Sequence, residues 1–209
     1  GRTIWLGGIS VLAGLAMKSP WLSIVTITRD DPTGLARTLA SAALLRTAGA
    51  EHLIVDGGVD PVTTPQMVDK YGGTIAVHSR PPRGISDAFN FGLAEARGEW
   101  ILFLNGGDAV HEQLDTEWLL SHLNATQADV VTGSVQFDGE PAARPRPHLS
   151  YQWPLIACWL GHQATFIRRE KLLKAGGFNP RWRIAMDYDL WFRLLRRPAV
   201  VDVVSIPIA

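Results

Sequence analysis

Asp108 closes a short loop, Asn105-Gly106-Gly107-Asp108, that follows the apolar run Ile101 to Leu104. A buried strand that delivers a carboxylate on a glycine hinge is costly to build and suits a positively charged ligand. Asp56 stands the same way, at the end of His52-Leu-Ile-Val-Asp56 and ahead of Gly57-Gly58. Asp30 and Asp31 follow an earlier apolar run, Leu22 to Thr28. His162 and an acid pair, Asp187 and Asp189, come much later. This set suits a divalent cation with oxygen ligands holding a diphosphate, plus one carboxylate acting as a base. Asp30 and Asp31 taken singly read as turn formers or helix caps. Asp56 and Asp108 taken together read as functional.

Other chemistries lack their residues. The first strand is not followed by G-x-G-x-x-G, and no G-x-x-x-x-G-K-[ST] occurs. No Cys/His cluster has zinc spacing, and no G-x-S-x-G elbow is present. Lys+Arg and Asp+Glu both number 20, so the basic excess of an extended nucleic-acid surface is missing. Arg outnumbers Lys 16 to 4, which suits phosphate contacts but also follows from a compositional bias of the genome. The single cysteine, Cys158, excludes an intrachain disulfide, fits a reducing compartment and reads as a small buried apolar residue.

The elements that must position these residues alternate. Leu22 to Thr28 is a strand, and Leu35 to Thr47 a helix closed by Gly49. His52 to Asp56 is a strand, Thr64 to Tyr71 a helix, and Thr74 to His78 a third strand. Ser86 to Ala96 is a helix with Ser86 as its expected cap and Gly98 past its end. The strand carrying Asp108 follows. This β-α-β-α-β-α-β order implies a parallel sheet with helices on both faces. Acids at the ends of such strands gather on one edge, where open α/β sheets bind ligands.

The second part changes character. Asp115 to Leu123 reads as a helix and Ala128 to Phe137 as a strand region. Asp138 to Ser150 is a Pro- and Arg-rich linker. His162 lies in a loop entering a strand, and Arg168 to Ala175 is a helix. A last helix spans about 187–197, with Tyr188, Trp191, Phe192 and Leu195 as its expected core stripe. The composition, 46% apolar and 19% charged over 209 residues, is that of one globular domain. Both ends look cut. Ile4 to Met17 is expected to be an extra helix or leader; at 14 residues it is shorter than a bilayer span, and a signal peptide is the weaker reading.

Several motifs, in this order, carry a resemblance: Leu22-Ser-Ile-Val-Thr-Ile-Thr, Ile54-Val-Asp-Gly-Gly, Gly84-Ile-Ser-Asp-Ala-Phe-Asn-Phe-Gly, Gly98 to Asp108, His162-Gln, Gly176-Gly-Phe and Met186-Asp-Tyr-Asp-Leu. Together they resemble a family 2 glycosyltransferase of the GT-A fold, bacterial surface-polysaccharide branch. The resemblance implies an α/β fold with a Rossmann-like, mostly parallel sheet flanked by helices in a single domain. It sets residues 20–209 as that domain, with a nucleotide-binding half at 20–110 and an acceptor-side half at 111–209, expected to be truncated at its C-terminus.

The resemblance also implies roles. Thr28, Asp56, Asp87, Asn90, Asn105 and His162 belong to the donor site, with Asp56 at the base or ribose and His162 near the diphosphate or acceptor. Asp108 holds a divalent cation, Mn2+ or Mg2+, that bridges the diphosphate. Asp187 is the catalytic base of an inverting transfer. The donor is a nucleoside-diphosphate sugar of the UDP, GDP or dTDP type, and the acceptor a saccharide or lipid-linked saccharide of the bacterial cell surface. The expected setting is cytoplasmic, at the inner membrane face through peripheral contact. Trp182, Arg181 and Arg183 are candidates for the acceptor site, and Trp191 for the core.

The sequence also departs from its relatives. Arg80 and Pro82 stand where relatives usually carry acids, Phe91 where Lys is commoner, and Val59 where a small hydroxyl residue is usual. These changes point to an unusual sugar. Two other function classes compete: a non-catalytic sugar-nucleotide binding domain and a sugar-nucleotide nucleotidyltransferase. The second normally shows a Gly-rich, basic loop after the first strand, which Thr28-Arg-Asp-Asp-Pro-Thr-Gly does not resemble.

Overall fold

The computed structural model describes residues 19–137, 160–196 and 199–209. The expected leader, the linker at 138–150 and Cys158 lie outside these residues. The first half runs β1 (Leu22–Thr28), α1 (Pro32–Ser41), α2 (Ala43–Thr47), β2 (Glu51–Asp56), α3 (Thr63–Val68), β3 (Thr74–Ser79), α4 (Ile85–Glu95) and β4 (Trp100–Asn105). The second adds α5 (Thr116–Ala125), β5 (Val130–Ser134), a 3-10 turn (His162–Ala164), β6 (Thr165–Arg168), α6 (Arg169–Ala175), α7 (Met186–Leu195) and β7 (Val201–Pro207).

One seven-stranded sheet has the order β3-β2-β1-β4-β6-β5-β7. The first four strands pair in parallel, as the alternating sequence pattern predicts. Only β6 runs against its neighbours β4 and β5. β1 and β4 lie in the middle, covered on both faces, which is why their sequences are unbroken apolar runs rather than alternating ones. Ile24, Leu102 and Leu104 pack on one side with Leu119 and Leu123 of α5. Val25, Ile101 and Phe103 pack on the other with Phe89 of α4, Leu172 of α6 and Leu190 of α7.

The opposite edge, where the parallel strands begin, is pinned by one buried acid. Glu51 is 2% exposed and accepts from Ser23 Oγ at 2.6 Å and from the Arg97 backbone N–H at 2.6 Å. The Arg97 guanidinium also donates to it, at 2.9 and 3.0 Å. Burial opposes its charge, but these donors outweigh burial and hold its carboxyl below the usual carboxylate range. Gly98 packs against this knot: a Cβ there would lie 2.5 Å from the Ser23 nitrogen. Gly98 is therefore kept for close approach, while the C-cap of α4 is Ala96.

Three local expectations are corrected. The predicted helix from Leu35 to Thr47 is two helices, because the chain leaves helical geometry at Ala42. The first begins earlier, with Pro32 in its first turn and the Asp31 carboxylate accepting from Gly34 N–H at 2.8 Å. Ser86 does not cap α4, which starts one residue before it; the hydroxyl is buried, 3.5 Å from the Trp182 carbonyl. In α7 the buried stripe is Leu190, Trp191 and Leu194, with Tyr188, Phe192 and Leu195 only half-buried. Arg193 donates to the carbonyls of Ala175 and Gly177 and so turns the side bearing Leu190 and Leu194 inward.

Candidate active site

The carboxyl ends of β1, β2, β3 and β4 surround a cavity of about 350 Å³. Thr28, Asp56, Asp87 and Asn105, all expected at the donor site, line it. Each arrives from a different element. Thr28 ends β1, Asp56 ends β2, Asn105 ends β4, and Asp87 sits in the first turn of α4. Asp56 is 3% exposed and accepts from Gly58 N–H at 2.7 Å. The Thr28 hydroxyl is buried and has no hydrogen-bond partner among the described residues. A buried hydroxyl without a partner is costly, so it is suited to a ligand oxygen. Gly106 lets the loop close over this hydroxyl, since a Cβ would lie 3.0 Å from Thr28 Oγ1.

The loop after β4 is closed by its own acid. The Asn105 backbone N–H donates to Asp108 Oδ2 at 2.7 Å, and the Asn105 amide reaches the same oxygen at 3.1 Å. Thr38 of α1 holds the loop from below. Its hydroxyl donates to the Asp108 carbonyl at 2.6 Å and accepts from Gly107 N–H at 3.0 Å. Sequence reasoning missed Thr38, because a lone threonine on the buried face of a helix carries no mark of its partner. Asp108 also borders a second cleft, of about 490 Å³, with His111, Gln136 and Gln163.

His162 meets this loop from the second half. Because β6 is reversed, its first residue lies at the edge where the parallel strands end, and the 3-10 turn before it lands beside Asp108. Thr165 Oγ1 donates to the Gly161 carbonyl at 2.7 Å and contacts Thr132 Oγ1 at 3.0 Å, fixing that turn to β5. His162 Nε2 is 3.6 Å from Asp108 Oδ2, and Nδ1 is 3.9 Å from Asp187 Oδ2. The result is a row of acid, imidazole and acid. Burial opposes charge on His162, but the two carboxylates outweigh burial and raise it to about 9. Asp187 is held below the usual range chiefly by His162. Asp108 is lowered too, the donors His162 and Asn105 overcoming its burial.

The Asn105 amide follows the state of the ring. Asn105 Nδ2 lies 3.0 Å from His162 Nε2, a contact that needs a bare Nε2 and leaves the proton on Nδ1, facing Asp187. A charged ring carries protons on both nitrogens; its Nε2–H then faces Asp108 Oδ2 at 3.6 Å, and the Asn105 amide keeps only its contact with that oxygen. The flanking carboxylates favour the charged ring.

Asp187 lies in the first turn of α7, where the helix dipole favours a carboxylate. Trp191 Nε1 donates to the Leu160 carbonyl at 3.1 Å, tying α7 to the segment before His162. Asp189, the other member of the late acid pair, is spent on Arg193 at 2.7 Å. Below the row, Phe89, Phe103 and Phe178 form an aromatic triangle with centroids 4.9 to 5.2 Å apart. His162 lies 6.1 Å from Phe89. The structure uses Asn90 here and not in the cavity lining: its amide donates to the Phe178 carbonyl and accepts from the Phe178 N–H, both at 2.7 Å. Arg181, Trp182 and Arg183 are exposed in the loop before α7, while Trp191 is buried.

A hard divalent cation takes six or more oxygen ligands. Among the described residues no group of three or more His, Cys, Asp or Glu side chains could hold one. Asp108 with the polar Asn105 therefore fits a cation only as one side of its shell, with oxygens of a bound diphosphate completing it. Also among the described residues, no helix is long and apolar enough to cross a membrane.

A glycosyltransferase of Mycobacterium bovis named for PGL/p-HBAD biosynthesis is 26% identical over 201 residues, covering 88% of this chain and 73% of its own. An uncharacterised glycosyltransferase of Mycobacterium tuberculosis is 28% identical over 199 residues, covering 90% and 73%. Among solved structures, S. aureus TarS 1-349 in complex with UDP superposes with a TM-score of 0.73 at 17% identity, over 90% of this chain. The chain spans 58% of that protein. The mannosyltransferase PcManGT of Pyrobaculum calidifontis, in complex with GDP-Man and Mn2+, gives 0.65 at 15% identity, over 90% and 56%. These likenesses make the fold GT-A. The family model for Glycosyl transferase family 2 matches residues 23–203, and the chain belongs to that family of glycosyltransferases.

Proposed function

We propose that this chain moves a sugar from a nucleoside-diphosphate sugar to an acceptor hydroxyl with inversion, the acceptor being a saccharide or lipid-linked saccharide of the bacterial cell surface. The observation that carries this reading is the cavity lined by Thr28, Asp56, Asp87 and Asn105, which ends at Asn105 beside the row Asp108, His162, Asp187. The complexes of fold neighbours with UDP, UDP-GlcNAc and GDP-Man support the donor class. The mycobacterial relatives named for PGL/p-HBAD biosynthesis are glycosyltransferases by name, which supports the transfer of a sugar.

In this mechanism the cavity holds the nucleoside, with Asp56 and Asp87 toward the base and ribose and the Thr28 hydroxyl toward a ligand oxygen. Asp187 accepts the proton of the acceptor hydroxyl as that oxygen forms its bond to the anomeric carbon. The bond from that carbon to the diphosphate oxygen breaks, and the nucleoside diphosphate leaves. A single displacement inverts the anomeric centre. Asp187 needs no raised pKa, since it is ionised at neutral pH and requires only hydrogen-bond reach. His162 stands between the base and the diphosphate side and donates to developing negative charge there. A cation held by Asp108 with Asn105 would supply Lewis-acid stabilisation of the leaving diphosphate. Calorimetry with UDP, GDP and dTDP, each with and without manganese, tests the reading. Manganese-strengthened binding of at least one is expected; binding of none overturns it.

A further inference from the structure

The loop that carries Asp108 is held from outside in two halves. Gly106 belongs to the sheet side, its N–H donating to the Ile27 carbonyl of β1 at 2.8 Å. The other half, Gly107 and Asp108, hangs on α1 through Thr38, which is fully buried. Thr38 Oγ1 accepts from the Gly107 N–H at 3.0 Å and donates to the Asp108 carbonyl at 2.6 Å. Its single proton has three carbonyls within reach, those of Gly34 and Asn105 at 3.3 Å and that of Asp108, and goes to the nearest. Ser41, on the same helix, extends the hold: its Oγ donates to the Thr38 carbonyl at 2.9 Å and accepts from the Val110 N–H at 3.0 Å. No side chain separates helix and loop at Gly34, where a Cβ would lie 3.1 Å from the Gly107 nitrogen.

This half of the loop needs such a hold. Gly107 has φ +103°, a conformation that only glycine takes readily, and a glycine left unrestrained has many others open to it. The Asp108 carboxylate leaves the chain directly after that hinge, so the backbone at Gly107 and Asp108 decides where the carboxylate points. One hydroxyl fixes both residues because one atom donates and accepts at once. Thr38 lines neither cleft, so whatever it does for a ligand it does through this loop.

We propose that Thr38 is a positioning residue for the divalent cation: its hydroxyl fixes the backbone of Gly107 and Asp108 and so keeps the Asp108 carboxylate set to bind the metal. This rests on the nucleoside-diphosphate-sugar reading above and on Asp108 as a cation ligand. It extends the metal site to a buried helix residue that touches no ligand.

The test is a manganese titration of nucleotide binding, followed by calorimetry on the full chain with UDP, GDP and dTDP as probes. Three variants grade the hydroxyl. Thr38→Ser keeps it, Thr38→Cys weakens it to a thiol, and Thr38→Val removes it at nearly constant size. The manganese concentration for half-maximal binding stays within about threefold of the native value in Thr38→Ser and rises roughly 10- to 100-fold in Thr38→Val, with Thr38→Cys between them. With a chelator present, all three bind nucleotide as weakly as the native protein does. In an Asp108→Ala background, Thr38→Val adds nothing to the manganese requirement, because the ligand it positions is gone. A merely structural threonine would lower the thermal midpoint and leave the titration in place. An unmoved titration in Thr38→Val, a serine variant as impaired as the valine one, or full additivity with Asp108→Ala overturns the proposal and leaves the donor reading standing. If Thr38→Val does not fold, serine and cysteine decide: a higher requirement with cysteine supports the proposal, and equal requirements overturn it. Native binding that ignores manganese overturns the cation role of Asp108 and this proposal with it. Binding of none of the three nucleotides overturns the donor reading as well.

Discussion

His162 Nδ1 stands 3.9 Å from the Asp187 carboxylate, so the proposed base faces the imidazole and not a lysine or arginine. A base positioned this way keeps its charge, and its second oxygen, which accepts from the Tyr188 N–H at 2.9 Å, has a further lone pair to offer a hydroxyl. Asp187→Asn removes the proton acceptor and preserves the shape. Transfer should fall by roughly 10²- to 10⁴-fold. Nucleotide affinity should change by less than about threefold, because Asp187 does not line the nucleotide cavity. Turnover and calorimetry on the same variant check both parts; unchanged transfer, or lost binding, would rule out the assignment.

Asp108 is the only carboxylate on its loop, and a cation there depends on the diphosphate for the rest of its shell. Asp108→Ala should therefore raise the manganese concentration for half-maximal nucleotide binding by roughly tenfold or more. Removal of the metal with a chelator should bring the native protein and the variant to the same weak affinity. A manganese titration that does not move in the variant contradicts the role.

Asn90 separates a structural role from a donor contact. Both ends of its amide are used by the Phe178 backbone at 2.7 Å. Asn90→Ala leaves two backbone groups without partners at the aromatic triangle and should cost about 1–3 kcal/mol of stability. Nucleotide affinity should hold at temperatures where the variant is folded. Denaturant unfolding together with calorimetry decides it: a lost affinity with unchanged stability would return Asn90 to the donor site.

His52 makes the fold sensitive to acid. It is fully buried, contacts Thr26 Oγ1 at 2.8 Å, and lies 3.2 Å from the Arg46 guanidinium. Burial, with the Arg46 charge adding to it, pushes its pKa down to about 3 from an ordinary 6.5. The unfolded chain takes up this proton first. The contribution is thus complete above pH 6.5 and is lost as pH falls from there toward 3, by at most about 1.4 kcal/mol per pH unit. His52→Gln should flatten that slope while lowering stability at pH 8. Urea unfolding at pH 4, 6 and 8 measures it; an identical slope in both proteins would contradict the account.

The parts of the site that local chemistry spells out could be read from the residues alone. β1 and β4 announce themselves because central strands covered on both faces have no polar face to alternate with. Asp56 and Asp108 stand out as acids at the ends of such strands, and the resemblance to relatives supplied Asp87 and Asp187. The reversal of β6 was hidden, since four residues, Thr165-Phe-Ile-Arg168, say nothing about the direction in which they pair. Thr38 was hidden because its partners lie about 70 positions away, at Gly107 and Asp108. Arg80 was visible only as a departure; that it lies over Phe91 depends on where β3 and α4 meet.

Every residue lining the nucleotide cavity falls between Ile27 and Gly106, while His162 and Asp187 come from the chain beyond it. Under the proposed chemistry, the grip on the activated sugar and the choice of what receives it are inherited as separate stretches of one gene. Variation after that first stretch can exchange one acceptor for another while the supply of donor stays the same. A lineage could in this way diversify the glycans it displays without remaking the nucleotide-sugar supply behind them.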